Sequence, residues 1–138
     1  MAATLKLEIV TPEAKTYSED VDSVTLPGIE GEMGIFPMHV PLMTQIVAGE
    51  ITVRKDGQDS YLAVGEGFVE ITSARVAVLT DMAIRAEQID EAKAEEARKR
   101  AQARLAEQIQ DDEEAARITA MLLQAETQLH VKRRRHPH

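Results

Sequence analysis

The sequence predicts a β + α fold, with an N-terminal β-sandwich over residues 1–86 and a C-terminal antiparallel α-helical hairpin over residues 87–138. Three observations predict it. Short apolar runs, several alternating with period two, are punctuated by closely spaced glycine and proline turns up to about residue 85. From Glu87 onward glycine disappears and proline returns only at Pro137. Ala, Glu, Arg, Gln and Leu, all strong helix formers, dominate that second part.

The first strand is Leu5-Lys6-Leu7-Glu8-Ile9-Val10, which alternates, and Val21 to Leu26 alternates loosely. The stretch from Val24 to Glu50 carries glycines at 28, 31, 34 and 49 and prolines at 27, 37 and 41. A helix interior loses about 1 kcal/mol to each Gly and about 3 to each Pro, so this stretch is a string of strands and tight turns. Leu26-Pro27-Gly28 fits a type II turn, with Pro second and Gly third. Ile51 to Arg54 leads to Lys55-Asp56-Gly57-Gln58, whose Asp-Gly is a strong hairpin signal, and Ser60 to Val64 returns. Gly65-Glu66-Gly67 turns into Phe68-Val69-Glu70-Ile71, and Ser73-Ala74-Arg75 into Val76 to Leu79. The four aromatics are Tyr17, Phe36, Tyr61 and Phe68, so the core is aliphatic and the domain small.

In the first helix Ile89, Ala97, Ala101 and Leu105 recur at multiples of four and give a thin, alanine-rich stripe. Ile118, Met121, Leu122, Ala125 and Leu129 give the second helix a better one. Between them Asp111 reads as an N-cap, with Glu114 three residues later reaching back to it. Acidic residues open each helix, while Arg98, Lys99, Arg100 and Arg104, then Lys132 to Arg135, lie toward the C-terminal ends, which suits the helix dipoles. Alanine stripes bury little apolar area at ~25 cal/mol per Å², so the hairpin is expected to be marginally docked and to open without unfolding the β domain.

Composition excludes several functions. There are 16 Lys+Arg against 24 Asp+Glu, and residues up to Ala86 carry most of the negative balance, so no broad basic face for nucleic acid is expected. With no cysteine, neither a disulfide framework nor a thiolate metal site is available. The N-terminus MAATLKLEIV lacks the basic and long apolar regions of a secretory signal, and the absence of a transit peptide fits bacterial or organelle-encoded synthesis. No apolar run approaches the roughly 20 residues that cross a bilayer, so membrane association is expected through protein partners.

No catalytic constellation stands out. Gly28 to Gly34 superficially resembles a phosphate-cradling loop, but the following helix, the Lys and the Ser/Thr are missing and Phe36-Pro37 forbids a helix start. His39 lies between prolines with no Cys or second His nearby, His130 stands alone, and His136-Pro137-His138 reads as a frayed terminus with at most weak metal affinity. Lys132 to Arg135 reads as a basic helix end facing an acidic protein surface rather than a nucleic-acid patch. A freestanding carbohydrate-binding sandwich wants exposed aromatics, and the chain has no Trp. From the residues alone this is a two-part, noncatalytic interaction protein.

Leu26-Pro27-Gly28-x-x-Gly31-Glu32-x-Gly34-Ile35-x-Pro37-x-His39-x-Pro41-Leu42, followed by Gly49-Glu50, resembles the signature of the epsilon subunits of F-type ATP synthases. Gly67 to Ile71, Val76 to Asp81 and Ala86 to Ala94 extend the resemblance to essentially the whole chain. It implies a ten-stranded β-sandwich on the central rotor, contacting the gamma subunit and the membrane c ring, and a mobile hairpin that inhibits ATP hydrolysis when extended. The candidate gamma and c-ring interface is then Gly28, Glu30, Gly31, Glu32, Gly34 and His39, with Glu32 toward the c ring and His39 toward gamma. Among the helix cations, Arg98, Lys99, Arg100, Arg117, Lys132 and Arg133 are candidates to meet the beta subunits, with alpha subunits as further neighbours. The implied location is peripheral, at the cytoplasmic face of a bacterial plasma membrane or its organellar equivalent.

Some members bind ATP at the hairpin through Ile/Leu-Asp-x-x-Arg-Ala and arginines on the second helix. Here that motif is Ile89-Asp90-Glu91-Ala92-Lys93-Ala94, and Lys93 lacks the planar fork of arginine. Ile84 stands where binders carry an acidic residue, and Ile118 to Leu129 contains no arginine. The resemblance therefore implies weak or absent nucleotide affinity and no other cofactor.

Overall fold

The computed structural model describes residues 3–135, so the His136-Pro137-His138 reading lies outside the described residues. Among them ten strands precede two helices. The strands are β1 (Leu5–Val10), β2 (Lys15–Val21), β3 (Ser23–Gly28), β4 (Gly31–Ile35), β5 (Leu42–Ile46), β6 (Gly49–Lys55), β7 (Gln58–Val64), β8 (Gly67–Ile71), β9 (Arg75–Thr80) and β10 (Ala83–Arg85). A 3-10 turn (Ala86–Gln88) then leads to α1 (Glu91–Ala106) and α2 (Asp112–Arg135). The β-then-hairpin architecture is the one the sequence predicts.

The strands form one hydrogen-bonded sheet in the order β10-β7-β6-β3-β5-β8-β9-β1-β2, with β4 attached to β3. All recorded pairings are antiparallel except β1 with β9. The sheet folds over on itself so that β2 reaches β6. Glu19 holds that seam, pairing with Lys55 and, at 3.7 Å, with Arg85. The Arg85 guanidinium also lies 5.0 Å from the centroid of the Tyr17 ring. The hydrogen bond from Lys55, aided by the nearby positive charges, holds the Glu19 carboxyl below the usual carboxylate range.

Period-two alternation supplies the core. Leu5, Leu7 and Ile9 of β1 point inward, as do Val24 and Leu26, Ile51 and Val53, Leu62 and Val64, Val69 and Ile71, and Val76 and Val78. β7 breaks the alternation, because Leu62, Ala63 and Val64 are all buried. Its outer face is covered as well, by a second cluster in which Ala63, Ala86 and Ile89 meet Val131 of α2, with Tyr61, Met82 and Ile84 alongside.

The Asp56-Gly57 turn behaves as read, with φ of 54° and 77° and Lys55 paired with Gln58, the signature of a two-residue type I′ hairpin. The type II turn expected at Leu26-Pro27-Gly28 does not form. Pro27 and Gly28 belong to β3 and pair with Glu32 and Gly31, so the turn falls at Ile29-Glu30 and Gly31 takes φ of 127°. Pro27 is tolerated in the strand because β3 changes neighbour there. It pairs with β6 over Ser23 to Thr25 and with β5 at Gly28, and the missing N–H falls in the gap.

In the hairpin, Asp90 caps α1 by accepting the Lys93 N–H at 3.1 Å. Asp111 caps α2 by accepting the Glu113 N–H at 2.9 Å. Glu114 does not reach back as the capping reading expects. It takes the Arg104 guanidinium at 2.6 Å, since a full positive charge across the turn attracts a carboxylate more strongly than a backbone N–H does. The α1 stripe is thin but differs from the one expected: Ala101 is buried as read, Ala97 and Leu105 are only partly buried, Ala94 is buried in addition, and Ile89 is buried ahead of the helix. In α2, Ile118, Ala125 and Leu129 are buried as read, but Met121 is half exposed and Thr127 and Val131 are buried instead.

Candidate functional site

Gly28, Glu30, Gly31, Glu32 and Gly34 share one hairpin. Gly28 and Gly31 face each other across its end, where a Cβ on Gly28 would stand 2.7 Å from the Gly31 carbonyl oxygen. Glu30 and Glu32 are exposed there. His39 lies past the other end of β4, in the segment leading to β5, where its Nδ1 lies 2.6 Å from the Val40 carbonyl oxygen. The hairpin tip and His39 are thus separated by the length of β4, and the structure does not bring them into one site.

The segment around His39 is apolar and open. Phe36 is 64 % exposed, Met38 78 % and Val40 74 %. Met38 holds φ of 70° and donates its N–H to the Ser73 carbonyl at 2.7 Å, which pins this segment to the β8–β9 turn. Beside it runs the outer face of β5, β8 and β9. Gln45, Phe68 and Leu79 lie in one cross-strand row and Met43, Glu70 and Ala77 in the next, with Met43, Phe68 and Leu79 exposed. Several large apolar side chains open to solvent on one layer mark an interaction surface. No motif marks these residues, but strand parity does: Phe68 shares a face with Glu70 once Val69 and Ile71 point inward.

The helix cations divide into two groups. Arg98 pairs with Glu95 and donates to Gln102 at 3.1 Å, and Arg100 pairs with Glu96 at 3.2 Å. Arg133 bridges the helices, reaching Glu91 at 2.8 Å and Glu95 at 2.9 Å, and Lys132 donates to the Ala86 carbonyl at 3.2 Å. Hydrogen bonds from Arg98, and then from Arg133, hold the Glu95 carboxyl below its ordinary range. Lys99 and Arg117 are exposed and take part in no ion pair recorded among the described residues.

A groove of about 650 Å³ runs between α1 and α2. Lys93, Ala94, Arg100 and Arg104 line it from α1, and Arg117, Met121, Gln124 and Gln128 from α2. The second helix extends beyond the Ile118–Leu129 stretch read from sequence, so it does carry arginine, at Arg117 and again from Arg133 to Arg135. Of these only Arg117 lines the groove; the middle of the α2 wall is amide and thioether. The motif residues also have structural employment: Ile89 is buried in the second cluster and Asp90 is spent as a helix cap. No group of three or more His, Asp or Glu suited to a metal ion occurs among the described residues. None of the described helices is long and apolar enough to cross a membrane.

Residues 4–86 match the model of the ATP synthase delta/epsilon chain β-sandwich domain, and residues 87–133 that of the delta/epsilon chain long α-helix domain. The chain belongs to the ATP synthase delta/epsilon chain family. It is 49 % identical over 137 residues to the ATP synthase epsilon chain of Dehalococcoides mccartyi, with 98 % of each chain covered. It is 43 % identical over 131 residues to ATP synthase epsilon chain 2 of Syntrophotalea carbinolica, with 95 % of each covered. In fold it is similar to a chain of the Euglena gracilis mitochondrial ATP synthase, with a TM-score of 0.71 at 24 % identity, covering 91 % of this chain and 79 % of that one. The family's two domain descriptions agree with the sandwich and helices described above.

Proposed function

We propose that the chain is a noncatalytic rotor subunit of a proton-translocating F-type ATP synthase. In this reading the sandwich joins the gamma subunit to the c ring and so helps couple proton flow to ATP synthesis, while the helices restrain ATP hydrolysis. The observation that carries it is the end-to-end likeness, at 49 % identity, to a chain named as an ATP synthase epsilon subunit. The open apolar layer formed by Phe36, Met38, Val40, Met43, Phe68 and Leu79 supports a sandwich that seats against another protein. The glycine-shaped β3–β4 tip with Glu30 and Glu32 suits the c-ring contact, and the His39 segment suits gamma. The complex would hold the chain peripherally at the cytoplasmic face of the plasma membrane.

The exposed cations, Lys99 and Arg117 first, are available to an acidic surface on the beta or alpha subunits while the helices are docked. Arg98, Arg100, Lys132 and Arg133 would first have to exchange their own partners. The α2 wall of the groove, with Arg117 alone at one end, supports weak or absent nucleotide affinity; micromolar ATP binding to the isolated chain by calorimetry would overturn this.

Two measurements test the proposal. The tagged chain should co-purify with gamma and the membrane-bound complex, and failure to do so rejects the subunit reading. Deleting everything after Ala86 should raise ATP hydrolysis by the assembled complex, and unchanged hydrolysis rejects the regulatory half.

A further inference from the structure

Every polar side-chain contact recorded between α2 and the body of the protein before α1 falls in its last turn. Lys132 donates to the Ala86 carbonyl, Arg134 approaches Glu50 at 3.7 Å, and Arg135 clasps Glu50 with two nitrogens, Nε standing 2.9 Å from Oε2. The Arg135 guanidinium also lies 3.7 Å from the centroid of the Tyr61 ring. Glu50 and Tyr61 share the outer face of neighbouring strands, since Glu50 pairs with Ala63 two residues beyond Tyr61. The Glu50 side chain is only 10 % exposed and that of Arg135 23 %. The apolar part of the contact is small, with Val131 the one α2 residue in its cluster.

We propose that the last turn of α2 is a latch that holds the hairpin on the sandwich, with Arg135 as its fastener, gripping Glu50 by its fork and Tyr61 by its face. A bidentate guanidinium–carboxylate pair over an aromatic ring is geometrically selective, and lysine does not reproduce it. Breaking it leaves a nearly buried carboxylate with only the more distant Arg134, so the docked state loses more than a surface ion pair would contribute. The latch deepens the proposed regulation and rests on that reading for its consequence alone: releasing Arg135 frees a run of cations at the helix end.

The test uses the full chain, isolated from any partner. Because the chain has no cysteine, spin labels at Glu70→Cys and Gln110→Cys report the sandwich-to-hairpin distance without background. The latch predicts one narrow distance distribution for the parent. Arg135→Gln should shift the docked-to-released ratio toward release by about tenfold or more. Arg135→Lys should fall between the two, and the charge exchange Glu50→Arg with Arg135→Glu should recover docking in part. Thermal unfolding of the β signal, unchanged in Arg135→Gln, separates release from misfolding. A distribution in Arg135→Gln that stays as narrow as the parent's overturns the latch, whatever hydrolysis assays on the complex show. Release without any change in hydrolysis leaves the latch standing and counts against the regulatory reading.

Discussion

The two halves of this molecule bury side chains in different ways. The sandwich encloses Leu7, Ile9, Leu26, Ile51, Val53, Leu62, Val69 and Val78 from opposed faces of a folded sheet, all essentially inaccessible. Each such side chain contributes about 1.5–3 kcal/mol by leaving water. The hairpin meets across Ala94, Ala101 and Ala125, with Ile118 and Leu129 as its larger buried side chains. An alanine methyl contributes about 0.8 kcal/mol on the same scale. Ion pairs edge this thin seam: Arg104 with Glu114 near the turn and Arg133 with Glu91 and Glu95 at the far end join the helices, and Arg135 joins them to the sheet. A body held by broad aliphatic packing thus carries an arm with a thin apolar seam edged by ion pairs, and the arm is the part expected to open at lower free energy.

Substitutions can break or sharpen this contrast. Truncating Ile51→Ala opens a cavity in the sheet core and should cost about 2–5 kcal/mol in urea unfolding, with both halves affected because the arm loses its dock. Ala101→Gly should cost about 1 kcal/mol through helix propensity and lost packing. Its effect should appear only in the amide exchange of α1 and α2, and a matching loss of sheet protection would contradict the separation. Arg104→Gln should lower the thermal midpoint of the helical signal slightly, by an amount that disappears at high salt, since the Arg104 side chain is largely solvated.

Acid titration gives the smallest effect. Glu19 has a folded-state value depressed below 4.5, so its stabilisation is present above that value and is lost as pH falls through the lower folded one. Glu19→Gln should therefore be slightly less stable than the parent at neutral pH. The two unfolding midpoints should converge as the solution is acidified through and below the usual carboxylate range, as far-UV circular dichroism can follow.

The sequence made the strands with strict parity legible. Leu5, Leu7 and Ile9 stand two apart and the structure buries them as read, whereas Val76 to Leu79 is apolar throughout and only the structure shows that Val76 and Val78 point inward. β2 was not legible: in Lys15–Val21 only Tyr17 and Val21 are buried, and an edge strand with polar neighbours on both sides carries almost no periodic signal. β5 was obscured for the opposite reason, since Leu42 and Met43 are apolar yet exposed. The glycine-rich β3–β4 hairpin announced itself, but the turn moved by two residues because pairing with β4 outweighed the local preference of Pro-Gly. The apolar layer was readable from the parity of Phe68 and Leu79. Nothing local marks the contact of Arg135 with Glu50, because it joins positions 85 residues apart and depends on how the sheet folds over.

Native-state hydrogen exchange on the intact chain tests the central contrast most directly. Amides of β1, β6, β7 and β9 should exchange only through global unfolding, while those of α1 and α2 should open at a distinctly lower free energy with little sensitivity to denaturant. Equal protection in sheet and helices, with a common denaturant dependence, would show a single cooperative unit and contradict the account.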